Sequence, residues 1–110
     1  MLKKIQEAKQ ITLLKDCIIS AVAPLKVYLF GSFAEGAAKE ESDYDFYVIV
    51  SDNEKNLLEL TKKAYRAIRG KKYRPVDIVI VRKSTFEERK SWKLSLEHEV
   101  NNKGILLYTA

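Results

Sequence analysis

Apolar residues first recur along the chain at helical spacing. Ile5, Ala8, Ile11, Leu14, Ile18 and Val22 lie three or four positions apart, which keeps them on one stripe and predicts a helix over 2–23. Pro24 ends it, because the residue before a proline avoids the helical region. The pattern then changes period. Residues 26–30, Lys-Val-Tyr-Leu-Phe, are β-formers that stop at Gly31 and predict a strand. Residues 31–42 hold two glycines, two serines and three alanines and read as a loop with at most one helical turn. Residues 44–50, Tyr-Asp-Phe-Tyr-Val-Ile-Val, predict a second strand whose apolar end is buried on both faces.

Ser51, Asp52 and Asn53 supply a turn and a helix cap. Leu57, Leu60, Ala64 and Ile68 then predict a helix over 54–69 that Gly70 closes. Residues 75–81 predict a third strand. Ser84 or Thr85 is expected to cap a short helix containing Glu87 and Glu88, and a last helix covers about 91–102 up to Gly104. Residues 105–108 read as a short strand or an extended tail. This order predicts an α/β (α+β) layer fold: one domain over residues 1–110, with a small mixed sheet covered by helices.

Composition narrows the function classes. The longest apolar run is five residues, Phe46–Val50, against the roughly 20 that a membrane helix needs. Polar residues from Lys3 to Gln10 leave no apolar stretch for a signal peptide, so a cytoplasmic protein is expected. One cysteine and one histidine exclude an internal disulfide and a Cys-rich zinc site. The net charge of +5 conceals a segregation: residues 35–54 carry seven acids and one base, residues 62–74 seven bases and no acid. The basic run reads as a solvated helix face and connector. The acidic cluster in a basic chain raises the question of which cation it meets.

Three carboxylates stand where a strand rarely spends them. Asp43 and Asp45 open the second strand two positions apart, hence on one face, and Asp77 interrupts the apolar third strand. Taken singly, each is accounted for by pairing with a base such as Arg74 or Arg82. Taken together, three aspartates on two core strands point to a divalent cation, and Mg²⁺ takes oxygen ligands shared with phosphates. Gly31-Ser32, directly after the first strand, adds backbone N–H groups and a hydroxyl fit for an anion. His98, alone on the last helix, reads as a surface or packing residue. Phe33 and Tyr44 are read as packing residues before base-stacking ones.

The stretch Gly31-Ser32, ten residues, Asp43-x-Asp45, with Asp77 on a later strand, resembles the signature of the minimal nucleotidyltransferases of the DNA polymerase β superfamily. The resemblance runs over nearly the whole chain, including the closing Gly104-Ile-Leu-Leu-Tyr108. It implies that Gly31 and Ser32 hold the β- and γ-phosphates of a nucleoside triphosphate, most simply ATP. It implies that Asp43 and Asp45 bind two Mg²⁺ ions, and that Asp77 shares one and helps to deprotonate the attacking hydroxyl. It also implies an antitoxin whose acceptor is a partner HEPN-type toxin, with a homo-oligomer the other source of an acceptor surface. No nucleic-acid partner is expected. One position departs: Glu35 stands where many small members carry Arg. If that anion faces the phosphates, it weakens triphosphate binding, and a non-catalytic module that occludes its partner becomes the alternative.

Overall fold

A computed structural model describes residues 2–110, with side chains from residue 4 onward. The chain runs α1 (Leu2–Val22), β1 (Lys26–Phe30), α2 (Ser32–Glu35), β2 (Tyr44–Val50), α3 (Leu57–Ile68), β3 (Val76–Arg82), α4 (Lys83–Arg89), α5 (Leu96–Lys103) and β4 (Ile105–Thr109). The mixed α/β architecture expected from the periodicity is the one observed.

The strands form one sheet in the order β3-β2-β1-β4. β1 pairs antiparallel with β2 and β4, whereas β2 and β3 are parallel, joined across α3. The sheet is therefore mixed, and α3 is the crossover that parallel neighbours require. None of the described helices is long and apolar enough to cross a membrane.

Alternation along the strands divides the core in two. Val27, Leu29, Tyr44, Phe46, Val48, Val50, Val76, Ile78 and Ile80 face α1 and α3, meeting Leu14, Ile18, Leu60, Ala64 and Ile68. The opposite face carries a smaller cluster: Tyr47, Ile49, Phe86 and Val100, with Tyr28, Phe30, Val79 and Val81 beside them. There the Tyr47 hydroxyl donates to the buried Glu97 carboxylate at 2.6 Å.

Several helix ends differ from expectation. The cap of α3 is Asn56, whose side chain accepts from the Glu59 amide. Asp52 instead reaches forward and accepts from the Ser84 amide, so neither Ser84 nor Thr85 caps α4. Residues 90–95 turn rather than continue as helix, and Ser95 caps α5 by accepting from the His98 amide. Trp92, in this turn, is half exposed, with the Arg89 guanidinium 5.8 Å from its ring centre.

Within α1, the buried polar position is Gln10, beside the expected stripe. Its amide donates to the Lys71 carbonyl and accepts from the Tyr73 amide, fastening the basic connector to the helix.

Candidate active site

Gly31 turns the chain from β1 into α2. Its φ of 73° and ψ of −153° lie where a side chain is poorly tolerated. Space imposes the same choice, because a Cβ built there would collide with Oδ2 of Asp45. The Gly31 carbonyl accepts from the Ala34 and Glu35 amides, both at 3.1 Å. The amides of Ser32 and Phe33 precede the first bond of this helical turn and remain outside its ladder. The turn and the carboxylate predicted to cooperate with it are thus in direct contact.

Asp45 and Asp77 are register partners on the parallel pair β2 and β3. Their neighbours Tyr47, Val79 and Val81 belong to the α4/α5 face, so period-two alternation puts both carboxylates on that face. Asp43, two positions before Asp45, leads into the same strand. Asp77 is exposed, not sunk in an apolar strand as its sequence neighbours imply; the alternation of β3 turns it to the open side.

The two bases that could have claimed these carboxylates are engaged elsewhere. Arg74 bonds Glu7 and three backbone carbonyls, and Arg82 donates to the carbonyls of Glu54 and Lys55. Among the described residues, none of the three aspartates forms an ion pair. Burial pushes the Asp45 carboxyl up to about 6, and the charges of Asp77, Asp43 and Glu99 push the same way. Desolvated and surrounded by its own sign, it holds a proton where an ordinary aspartate does not.

An all-oxygen donor set under this repulsion fits a hard divalent cation, which would replace the proton. Among the described residues, no three His, Cys, Asp or Glu side chains are grouped closely enough to form a metal cage by themselves.

Two residues at the site were not singled out from the sequence. Glu99 on α5 adds its charge to that felt by Asp45. Lys103, at the end of α5, lies 3.7 Å from Glu35, and both side chains are exposed. The signal was topological: β4 pairs with β1, so the end of α5 returns to the Gly31-Ser32 turn. Phe33 and Tyr44 pack on each other with ring centroids 4.7 Å apart, which agrees with their reading as packing residues.

The profile of the family described as "Polymerase beta, Nucleotidyltransferase" matches residues 13–110. No curated protein sequence matches the chain. Among solved structures, the chain is similar to a Sulfolobus solfataricus protein assigned as a nucleotidyltransferase, at 25% identity and a TM-score of 0.57, over 91% of this chain and 83% of that one. It is similar also to a chain of the toxin–antitoxin MntA-HpeT bearing two aspartate-to-glutamate changes, at 26% identity and a TM-score of 0.52, over 94% and 73%. A tyrosine-to-alanine form of that toxin–antitoxin gives 27% and 0.51, over 94% and 72%. With the Gly-Ser turn against Asp45, and Asp45 beside Asp77, the chain belongs to the polymerase β nucleotidyltransferase family.

Proposed function

We propose that this chain is a Mg²⁺-dependent nucleotidyltransferase that moves AMP from ATP to a hydroxyl on a partner protein. The partner is a HEPN-type toxin, and residues 1–110 act as one catalytic antitoxin domain. The observation that carries the chemistry is the carboxylate set: Asp45 and Asp77 in register, Asp43 next to them, and, among the described residues, no base claiming any of the three. The toxin–antitoxin reading draws on the likeness to MntA-HpeT chains.

In this reading the acceptor oxygen bonds to the α-phosphorus while the bond from that phosphorus to the bridging oxygen breaks. Pyrophosphate leaves with the electron pair. The acceptor proton passes to Asp77, which is exposed and hands it to water. The Ser32 and Phe33 amides and the Ser32 hydroxyl receive the β- and γ-phosphates, stabilising charge on the leaving group. Asp43, Asp45 and Asp77 would hold Mg²⁺, which would supply neutralisation of the charge that develops on the attacking and leaving oxygens.

The test is label transfer from α-labelled ATP to a HEPN-type partner, with Mg²⁺ present. Wild type should label the partner, and Asp43→Asn and Asp45→Asn should not, while both variants remain folded by circular dichroism. Equal labelling by wild type and variants would place the activity outside this site. Tight partner binding by a wild type that transfers nothing would replace the enzyme with a module acting by occlusion.

A further inference from the structure

We propose that Arg74 is a positioning residue that orders the 36–43 loop and thereby sets Asp43 against Asp45 and Asp77; its metal-directed part rests on the nucleotidyltransferase reading above.

The loop between α2 and β2 has little of its own to hold it. Gly36 to Glu41 are exposed; the Ala37 amide bonds back to the Ser32 carbonyl, the Ser42 amide to the Lys39 carbonyl and the Lys39 amide to the Ser42 hydroxyl. Arg74 supplies what is missing. Its Nη1 donates toward the carbonyls of Glu40 at 2.6 Å, Ser42 at 3.1 Å and Lys39 at 3.4 Å. The Ser42 carbonyl belongs to the peptide unit that begins Asp43.

The guanidinium is fixed from behind. Glu7 on α1 takes it in a two-pronged grip, Nη2 to Oε1 at 2.7 Å and Nε to Oε2 at 3.2 Å. The rings of Phe33 and Tyr44 lie 5.1 and 5.6 Å from its central carbon. The Tyr44 hydroxyl closes the group by donating to Glu7. The side chains of Arg74 and Glu7 are only 10% and 15% exposed, so the pair is not a loose surface bridge.

Arg74 also immediately precedes Pro75, whose carbonyl accepts from the Tyr44 amide at 3.0 Å. One side chain therefore stands between the lead into β2, with Asp43 and Asp45, and the lead into β3, with Asp77. Its task needs the planar fork: some N–H groups face a carboxylate while another faces carbonyls. An ammonium group is a point charge and cannot span both.

The experiment compares wild type, Arg74→Lys and Glu7→Gln. Arg74→Lys keeps a charge for Glu7 and loses the fork; Glu7→Gln keeps Arg74 and loosens its anchor. Hydrogen exchange of the amides in 37–45 should accelerate at least about tenfold in Arg74→Lys and less in Glu7→Gln, with α3 and β1 unchanged. Mn²⁺ affinity should fall by about tenfold or more, the range typical of residues that orient metal ligands. The Mg²⁺ concentration for half-maximal transfer should rise equally, with the rate recovered at saturating Mg²⁺. Unchanged exchange in 37–45, or uniform acceleration over the whole chain, overturns the proposal. A wild type that transfers no label refutes the nucleotidyltransferase reading alone, because loop exchange still decides the role of Arg74.

Discussion

The two faces of the sheet come from the same strands and have opposite fates. Toward α1 and α3 the packing runs the full length of β2, from Tyr44 to Val50, with Phe46 and Val48 fully buried. Toward α4 and α5 it stops partway: Tyr47 and Ile49 are covered, and the starts of β2 and β3 are left to Asp45 and Asp77. Adjacent residues mark the boundary, since Phe46 points into the larger core while Asp45 points to the acidic site. Packing provides rigidity, and chemistry occupies the ground where packing ends. Asp45 is exceptional in belonging partly to both, which is why burial is the main cause of its raised pKa.

Substitution can sharpen or break this contrast. The largest effect belongs to the packed face. Phe46→Ala should cost about 3–5 kcal/mol in urea unfolding, the usual range for emptying a buried aromatic site. A cost below about 1 kcal/mol would mean that this face is not the one that holds the fold together.

Asp45→Asn should do the reverse. The folded-state pKa of Asp45 is raised from 3.8 to about 6, so between those values the folded protein binds the proton that the unfolded chain releases. Stability of the metal-free protein therefore falls as pH rises from about 4 to about 6, and the penalty is complete above that. After a discount for partial solvent screening, Asp45→Asn should gain about 1–2 kcal/mol at neutral pH and flatten the slope. Melting curves from pH 4 to 8 in the presence of a chelator measure both. A destabilised variant with the slope intact would assign Asp45 to the structural side of the divide.

The smallest effect is expected at Glu35, which is exposed and meets Lys103 at 3.7 Å. Glu35→Gln should change stability by less than about 0.5 kcal/mol. It should also leave ATP affinity within about twofold by calorimetry. A tenfold gain in affinity would show instead that the carboxylate opposes the phosphates.

Much of this division was legible in the sequence, because it rests on local periods. A run of β-formers ending at Gly31 marked β1, an apolar run marked β2, helical spacing marked α1 and α3, and Gly31-Ser32 with the three aspartates marked the site. Long-range pairing was not legible. Nothing local places Asp45 beside Asp77, which depends on the register across α3. Arg74 reads as one more base in a solvated run, yet its partner Glu7 lies 67 residues away on α1. Asp52 reads as a cap for the helix that follows it and instead serves α4. Arg74 and Asp52 are polar side chains with several plausible local partners, and each is claimed by a distant one.

The register of β2 on β3 acts as a ruler. Neighbouring strands are held about 4.8 Å apart by their backbone ladder, whatever side chains they carry. Two carboxylates on facing positions inherit that separation without dedicated scaffolding, and it is close to the ~4 Å between the metals of two-metal sites. A slip of one residue would turn Asp77 toward α1 and α3 and send Val76 and Ile78 out to water, so the apolar alternation that holds the fold also forbids mis-setting the pair. Helices and loops around such a sheet are free to diverge while the measuring device stays true.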